Sequence, residues 1–520
     1  MEEMRDEGVG VDDRDPFLWQ PLTDLEVDEI APEDSAYEGV GITKAQAAHN
    51  YKMAGTKVES DSSEIIWSRF QHLHNPEVEN LIKEVMSETK YSGKLTEFQE
   101  IFLHSIGSKK DTFAVIKTGA GKTEATGFAG LILRKVFKEP TGLIVMFVPL
   151  SGIMDELVEN KVVATAAVNM NGKIYTKVSE GQLKVSDEDI LAGKYVRLVM
   201  HPEALQNSNI EKLLLKMKMQ QQILGVVVDE FHVILPNHWA SFRPAMEEQT
   251  ARLRAFSRKG APTAALSATA TKSDLDLMVQ TLGLRADPVE LSENPIGTNY
   301  KFVQLKRPSD NYTFEGYLDQ KLKFHPGLLA QLKIIVIDEY VECILSGQEP
   351  KHTIIFFRTE NQLIPLLNYL REVLGVSNAG TAPFVSLVAS TPAVTEMVVR
   401  MRKGSISLYL TTQKMLLGVN IPRLDICIFV KPMNQLHAFL QGAGRTGRPL
   451  HSEHGFRTRA VVYILANGGD VGGQVKGMSE EVRDFVNNPV GCVSARIGRH
   501  FLGNFSAESR NPEWCCSNCS

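Results

Sequence analysis

The strongest constraint in this sequence is an alternation of short apolar segments with helix-like segments, which occurs twice along the chain. A strand, a helix and a further strand in succession are typical of a parallel sheet covered by helices on both faces. The sequence therefore predicts an α/β fold with two tandem parallel-sheet domains. The apolar segments are FAVI (113–116), LIVMFV (143–148), VRLVM (196–200), ILGVVVD (223–229), TAALSAT (263–269), TIIFF (353–357), FVSLV (384–388), ISLYL (406–410), ICIFV (426–430) and AVVYIL (460–465).

The domain boundaries follow from this grouping. We place the first domain at about 76–285 and the second at about 286–470. The second domain begins with a strand-like segment, YKFVQL (300–305), and a long helix from about Pro326 to Leu345. Residues 471–520 are expected to form a small helical appendage that ends in a cluster of cysteines.

Residues 1–75 mix scattered hydrophobic residues with Pro, Gly and acids, which predicts a largely disordered region with one helix around Lys44–Met53. Residues 1–40 hold fourteen acidic residues and two arginines, a net charge of −12. The whole chain carries −6, so the remainder carries +6. A mildly basic body suits a polyanionic partner without requiring one. The acidic head is either a solubilising tail or a segment that masks the basic body.

The sequence gives no sign of a membrane or secreted protein. No apolar run approaches the roughly 20 residues that a membrane-spanning helix needs. The first residues, MEEMRDEGVGVDD, lack the basic and then apolar order of a signal peptide. We therefore expect an intracellular protein, in the nucleus or the cytoplasm, with no membrane partner.

A phosphate-binding loop is predicted between the FAVI strand and the helix that follows it. Small residues there let backbone N–H groups surround phosphates at a helix N-terminus. Lys122 would contact the β- and γ-phosphates, and the hydroxyl of Thr123 can bind Mg²⁺. The sequence thus predicts ATP and Mg²⁺ as cofactors. The loop reads Lys117-Thr118-Gly119-Ala120-Gly121-Lys122-Thr123.

A second chemical segment, Asp229-Glu230-Phe231-His232, ends the strand ILGVVVD. The carboxyl end of a parallel strand lies at the ligand-binding crevice of such sheets. Asp229 is therefore expected to meet the Mg²⁺ of a bound nucleotide, and Glu230 can activate the attacking water as a general base. His232 either relays the nucleotide state toward residues 267–269 or caps a helix.

In their order along the chain, these segments resemble the superfamily 2 helicases. Residues 229–232 resemble the DExH box, and LSAT (266–269) resembles helicase motif III. Gln441-Gly442-Ala443-Gly444-Arg445-Thr446-Gly447-Arg448 matches the motif VI pattern QxxGRxGR. The resemblance covers roughly 90–470 and implies two RecA-like domains with the nucleotide between them.

Motif VI would supply the second side of the nucleotide site. A planar arginine from the second domain can stabilise the charge that builds up on the transferring phosphoryl group. Arg448 is the first choice for this role and Arg445 is a second contact. Gln441 belongs to the same nucleotide-contacting set.

Two segments are similar to the RecQ-type DNA helicases in particular. Residues 411–422 resemble motif V, with Thr412 as a nucleic-acid contact, although Lys414, Leu416 and Leu417 depart from the family's usual sequence. The segment WASFRP (239–244) resembles the family's aromatic-rich loop. Its aromatic residues and arginine can stack on unpaired bases, or the aromatic pair is part of the core. The proposed contacts are Trp239, Phe242 and Arg243.

Other segments resemble the family more loosely. Pro149 and Ser151 stand where motif Ia would lie, and Pro202 where motif Ib would lie, so these residues are expected near the phosphates of a nucleic-acid strand. The segment Thr96-Glu97-Phe98-Gln99 resembles the family's adenine-recognising segment. An amide side chain offers both a donor and an acceptor to adenine, so Gln99 takes this role unless it is an ordinary surface residue.

The end of the chain resembles the RecQ zinc-binding module. Cys516 and Cys519 have the spacing of a zinc-chelating pair, and Cys492 would be the third ligand. Cys515 is a candidate for the fourth position, although neighbouring cysteines rarely point at one metal. The alternative is a set of free thiols without zinc.

The resemblance implies an ATP-dependent helicase or translocase that moves 3′ to 5′ on single-stranded or forked DNA. The motor motifs are shared with DExH-type RNA helicases, so RNA is an alternative substrate. A non-catalytic scaffold that binds nucleic acid is the third interpretation.

Overall fold

The described strands form two large, mainly parallel sheets and one antiparallel pair, Lys57–Glu59 with Phe456–Thr458. The computed structural model describes residues 41–59, 67–89, 91, 93–117, 120–149, 151–159, 162–178, 181–234, 245–285, 287–292, 296, 299–308, 326–376, 382–387, 405–412, 424–447, 456–472, 477–488, 491–502 and 515–516. The strands are β1 Lys57–Glu59, β2 Thr112–Val115, β3 Leu143–Phe147, β4 Thr165–Val168, β5 Ile174–Val178, β6 Gly181–Lys184, β7 Arg197–Met200, β8 Ile223–Asp229, β9 Thr263–Ser267, β10 Val289–Ser292, β11 Tyr300–Lys306, β12 Thr353–Phe357, β13 Phe384–Leu387, β14 Leu408–Thr412, β15 Ile426–Val430, β16 Phe456–Thr458 and β17 Ala460–Ala466.

The helices mostly alternate with the strands along the sequence. One described helix precedes the first strand, and two α-helices follow the last strand. The α-helices are α1 Lys44–Met53, α2 Pro76–Glu88, α3 Glu97–Gly107, α4 Lys122–Phe137, α5 Ser151–Glu159, α6 Asp187–Leu191, α7 Ser208–Met219, α8 Ala245–Phe256, α9 Lys272–Thr281, α10 Pro326–Leu332, α11 Asp338–Leu345, α12 Glu360–Val373, α13 Leu436–Ala443, α14 Glu480–Asn487 and α15 Val493–Leu502. A π-helical turn, Lys333–Ile337, joins α10 to α11, and 3₁₀ turns lie at Trp67–Leu73, Pro202–Gln206, Phe231–Ile234 and Gly468–Val471. None of the described helices is long and apolar enough to cross a bilayer.

The first sheet has the strand order β10-β2-β9-β8-β3-β7-β4-β5-β6. Its strands run parallel except in the β5–β6 hairpin, where β5 pairs antiparallel with β4 and β6 antiparallel with β5. Central strands such as β3 and β8 are buried along their whole length, as expected where helices cover both faces of a parallel sheet. One face packs against α3 and α4, the other against α7, α8 and α9.

The second sheet has the order β11-β17-β15-β12-β14-β13 and is parallel throughout. The predicted α/β class with two parallel-sheet domains is therefore confirmed. All the predicted strands are present within a few residues of their expected ends. The long helix expected from Pro326 to Leu345 is also present, with the π-helical turn in its middle. Strand β10 belongs to the first sheet, although it follows the boundary predicted at about 285.

Residues 41–59 include the helix that the sequence predicts within the N-terminal region. Helix α1 covers the predicted residues, and its N-terminus is fixed by reciprocal hydrogen bonds between Thr43 and Gln46. Tyr51 and Ala54 are buried in the core of the second sheet, and β1 pairs with β16. This segment therefore packs on the second domain, although the first domain follows it in sequence.

The C-terminal residues form the predicted helical segment, and this segment packs on the second domain. Apolar residues of α14 and α15 share one core with the second sheet, including Phe485, Ile497 and Phe501. Cys515 and Cys516 lie in the same core, and the N–H of Phe302 on β11 donates to the carbonyl of Cys515 at 3.1 Å. Helices and tail thus complete the second domain.

Candidate functional site

The predicted phosphate loop lies between β2 and the N-terminus of α4. Gly121 precedes the helix with φ +88°, a conformation that glycine adopts without strain. The Lys122 ammonium donates to the carbonyl of Ile116 at 2.8 Å, so this side chain lies over the loop. Ala120 and Thr123 border the same loop, whereas Thr118 and Gly119 fall outside the described residues. The loop has the strand–glycine–helix geometry that phosphate binding requires.

Gln99 is buried against this loop and is not a surface residue. Its Oε1 accepts a hydrogen bond from the N–H of Thr96 at 2.9 Å, and its Nε2 donates to the carbonyl of Gly121 at 3.1 Å. The amide therefore connects the start of α3 to the phosphate loop. Because an amide has two acceptor and two donor positions, one of each is left for adenine, whose recognition by Gln99 stays a prediction.

Arg197 binds the end of the phosphate loop and the first turn of α4. The sequence did not predict this role. Arg197 lies on β7 with its side chain fully buried, and its guanidinium donates to the carbonyl of Thr123 at 2.9 Å and the hydroxyl of Thr126 at 2.8 Å. It also donates to the carbonyl of Leu157 at 3.1 Å. Burial lowers the pKa of Arg197 to about 10. An arginine inside an apolar strand was the signal that could have revealed it.

The two carboxylates of the DExH-like segment lie at the carboxyl end of β8. Burial, followed by the charge of Glu230, raises the pKa of Asp229 to about 7. Burial also acts to raise the pKa of Glu230, but the contact with His232 and the charges of His232 and Lys122 outweigh it and leave this pKa below its ordinary value. Glu230 has φ +50°, a strained conformation for a residue with a side chain. Such strain is common at active sites.

These residues fit a magnesium ion. A buried carboxylate with a raised pKa is one that a cation would stabilise in its charged form. Asp229 and the hydroxyl of Thr123 supply the oxygen ligands that Mg²⁺ prefers. Mg²⁺ bound with a nucleotide would neutralise charge on the phosphates there.

His232 connects the two domains. It is almost fully buried, and its Nδ1 lies 2.9 Å from the Ser267 hydroxyl and 3.3 Å from Glu230 Oε2. Its Nε2 lies 2.8 Å from Nε2 of Gln441, on α13 of the second domain. The side chains of His232 and Gln441 are therefore within hydrogen-bond distance across the two domains. The ring also lies 5.6 Å from that of His437, a contact that the sequence did not suggest.

The arginine loop, defined here as Gln441–Gly447, comprises the last three residues of α13 and the turn that follows them. Arg445 is partly buried there, and Arg448 lies outside the described residues. The hydroxyl of Tyr300 donates to the carbonyl of Thr446 at 3.3 Å, and the N–H of Gly447 donates to the carbonyl of Leu424 at 2.7 Å. The contact between Gln441 and His232 thus brings this loop beside the carboxylates of the first domain.

The predicted nucleic-acid contacts are only partly described. Pro149 and Pro202 follow the adjacent parallel strands β3 and β7, and Nδ1 of His201 lies 3.0 Å from the carbonyl of Val148, which joins the two loops. Ser151 begins α5. Thr412 ends β14 and is buried. The remaining predicted contacts, Trp239, Phe242 and Arg243, lie outside the described residues.

Three of the terminal cysteines come together. The sulfur atoms of Cys492, Cys515 and Cys516 lie within 4.8 Å of one another. The N–H of Ala495 donates to the sulfur of Cys492 at 3.3 Å, and that of Val493 to the sulfur of Cys516 at 3.4 Å. The neighbouring pair therefore does point at one place, contrary to the expectation from the sequence.

The chemistry of this cluster fits a thiophilic metal ion. Four sulfurs at the usual Zn–S distance of about 2.3 Å would be roughly 3.8 Å apart, which the three observed sulfurs can reach. The hydrogen bond from Cys516 and burial raise the pKa of the Cys515 thiol well above its ordinary value, so a thiolate there needs a cation. Cys519 lies outside the described residues.

Comparison with protein families identifies two domains. The DEAD/DEAH box helicase family matches residues 96–278, and the helicase conserved C-terminal domain matches residues 333–449. The chain carries the two domains of a superfamily 2 helicase. The first matched range holds most strands of the first sheet, and the second holds most strands of the second sheet. A comparison with curated proteins finds no significant match.

Solved helicase structures share the fold. The DUF1998 helicase MrfA bound to DNA has a TM-score of 0.57 at 15% identity, covering 82% of this helicase and 53% of MrfA. Lhr of Mycobacterium smegmatis, bound to single-stranded DNA and AMP-PNP, has 0.51 at 16%, covering 75% and 48%. The DEAD-box helicase Mss116, bound to single-stranded RNA and UDP-BeF, has 0.53 at 15%, covering 88% and 85%. This helicase thus spans about half the length of the first two, and at these identities the likeness concerns the fold alone.

Proposed function

We propose that this helicase hydrolyses ATP to move along single-stranded DNA in the 3′ to 5′ direction. The observation that carries the proposal is the hydrogen bond between His232 and Gln441, which joins the domains beside Asp229 and Glu230. Burial acts to raise the pKa of both carboxylates, and the nearby charge of Lys122 acts in the opposite direction on both. Because these groups lie where the two domains contact each other, this arrangement supports ATP hydrolysis whose rate depends on that contact.

The proposed roles follow from the contacts. Lys122 binds the β- and γ-phosphates, Asp229 holds Mg²⁺, and Glu230 takes a proton from the attacking water. Arg445 and Arg448 approach the transferring phosphoryl group from the second domain. His232 is held by Ser267 and Gln441, so a change at the carboxylates would alter the contact between domains. Alternating grip by the two domains would then produce stepwise movement.

DNA is the proposed substrate because the chain resembles RecQ-type helicases at the aromatic loop, motif V and the terminal cysteines. Two structurally similar helicases, MrfA and Lhr, were solved with DNA. The alternative is RNA, since Mss116 was solved with single-stranded RNA. ATPase stimulation by matched single-stranded DNA and RNA would decide between them. Duplexes with a 3′ or a 5′ single-stranded tail would then test the direction of movement.

The decisive variant is Lys122→Ala. We expect it to abolish ATP hydrolysis while leaving binding to nucleic acid mostly intact. Lys135→Ala is the matched control, because Lys135 lies on the same helix but faces Glu84 and Glu88 at the surface, 2.8 Å away. Undiminished hydrolysis in Lys122→Ala would refute the assignment. Loss in both variants would point to damage to α4 in general.

We also propose that the terminal cysteines bind a structural zinc ion, with Cys492, Cys515 and Cys516 as three ligands and Cys519 as the fourth. Amides at the start of α15 donate to two of these sulfurs, which favours thiolates there. Structural zinc sites are four-coordinate and closed. Zinc analysis of the purified protein tests this proposal independently of ATPase activity.

A further inference from the structure

The N-terminal strap, residues 41–59, is held on the second domain by specific polar contacts as well as by apolar packing. The side-chain amide of Asn50 donates to the hydroxyl of Tyr463 on β17 at 3.2 Å. The hydroxyl of Tyr51 accepts from the N–H of Lys351, just before β12, at 3.0 Å. Both Asn50 and Tyr51 are buried. These contacts hold the strap at one position on the second domain.

The second half of the strap forms a β-strand on the second domain. Strand β1 pairs antiparallel with β16, with Val58 opposite Arg457. Just before this pairing, the N–H of Gly55 donates to the carbonyl of Arg459, and the N–H of Arg459 donates to the carbonyl of Thr56, both at 2.8 Å. Backbone hydrogen bonds thus fix the position of β16 from one side.

Strand β16 in turn contacts the arginine loop. The N–H of Thr458 donates to the carbonyl of Gly447 at 3.3 Å. The side-chain amide of Asn299 donates to the carbonyls of Gly447 and Thr458, at 3.3 and 2.7 Å. Arg445 lies two residues before Gly447 in the same loop. The strap, β16 and the arginine loop therefore form one continuous hydrogen-bonded layer.

Gly55 connects the strap to the loop by a second route. It has φ +77°, and an added Cβ would lie 2.7 Å from Oδ1 of Asp425. Asp425 accepts the N–H of His352 through its other carboxylate oxygen at 3.0 Å. A side chain at position 55 would displace Asp425. Asp425 adjoins Leu424, whose carbonyl accepts the N–H of Gly447 in the arginine loop.

We propose that the strap is a positioning element for the arginine loop, so that a segment before the first domain sets the placement of Arg445 at the nucleotide. This inference rests on the proposed ATPase function. The physical reason is that a charged group acts on a transferring phosphoryl only at close and fixed distance, and a misplacement of about 1 Å can cost up to about 100-fold in rate. Hydrogen bonds from β1 through β16 reduce the freedom of the loop before any nucleotide binds.

The test compares two glycine substitutions in the full-length protein. Gly55→Ala strains a positive φ and meets Asp425. Gly347→Ala, also in the second domain, strains a φ of +70° with no atom within 4 Å of the new Cβ. We expect Gly55→Ala to lower kcat of nucleic-acid-stimulated hydrolysis about tenfold and to change KM for ATP less than about twofold, because the phosphate loop is untouched. Gly347→Ala should match the wild type in both.

A double-variant measurement separates positioning from general damage. Combined with Arg445→Ala, the Gly55→Ala substitution should lower kcat by less than about twofold more, because both changes act through the same group. Multiplying losses would overturn the proposal. If Gly55→Ala fails to fold, Asn50→Ala, which removes one hydrogen bond, is carried through the same assays. A wild-type protein without stimulated hydrolysis would refute the proposed function, whereas wild-type hydrolysis with an unchanged kcat in Gly55→Ala refutes the strap's role alone.

Discussion

The hydrogen bond between His232 and Gln441 makes the most direct prediction about communication between the domains. We expect Gln441→Ala and His232→Ala each to lower kcat of stimulated ATP hydrolysis, and the double variant to lose less than the product of the two losses. The reason is that each substitution removes the same contact. The coupling between the two positions is therefore the measurable quantity.

The structure allows the size of this coupling to be worked out. The contact is 2.8 Å long and His232 is 1% exposed, so the loss of Gln441 leaves a buried imidazole nitrogen without this partner. A neutral hydrogen bond contributes about 1 kcal/mol, and an unsatisfied buried partner costs about 1–3 kcal/mol. A coupling of about 1–2 kcal/mol corresponds to roughly 5- to 30-fold in rate. His232→Ala should cost more than Gln441→Ala, because it also removes the contacts with Ser267 and Glu230.

The assay is steady-state phosphate release at saturating ATP and single-stranded DNA, with all three variants and Gln280→Ala. Gln280 is an exposed glutamine on α9, so its substitution controls for the loss of a glutamine side chain as such. The reasoning fails if the double variant shows the full product of the single losses. It also fails if Gln441→Ala keeps wild-type kcat while His232→Ala loses it, because the cross-domain bond would then contribute nothing.

Three further outcomes follow from other contacts. Asp111→Asn should lower the free energy of unfolding by about 3–5 kcal/mol in denaturant titrations, since the buried carboxylate accepts from Arg285 and other donors. Burial acts to raise the pKa of Asp111, but these hydrogen bonds lower it overall, so wild-type stability should be full above about pH 4 and fall in acid; an equal acid slope in the variant would contradict this. Asp470→Asn should cost about 3 kcal/mol, because Arg307 pairs with Asp470 and both side chains are 1% exposed; an unchanged denaturation midpoint would count against it. Cys492→Ser should lower bound zinc from about one per chain, and a zinc-free wild type would end that proposal.

The sequence predicted the fold well where strands are long, apolar and buried on both faces. Strands β8, β12 and β15 match their predicted ranges residue for residue, because helices on both sides demand uninterrupted apolar character. The β5–β6 hairpin escaped prediction for the opposite reason. Its strands, IYTKV and GQLK, are short, and β6 is mostly polar and exposed along its whole length. An edge strand of this kind has no apolar signature.

The candidate site was predicted in the same uneven way. Lys122 and Asp229 belong to local sequence patterns, so their proximity follows once the strand order of a parallel sheet is assumed. Arg197 has no such pattern. Its importance comes from carbonyl and hydroxyl groups on α4 and α5 that are distant in sequence. A single sequence does not reveal which buried acceptors will surround a given strand position.

The strap shows which features of the N-terminal region a sequence predicts and which it does not. The helix at residues 44–53 is predicted, but its sequence, KAQAAHNYKM, has little apolar character, so the surface on which it packs is not. The strap's position on the second domain depends on the hydrogen bond from Asn50 to Tyr463, 413 residues away in sequence. It also depends on the close approach of Gly55 to Asp425. A polar side chain is buried at modest cost only when its partner is in place. The position of the segment therefore depends on partners in the second domain, which the local sequence does not reveal.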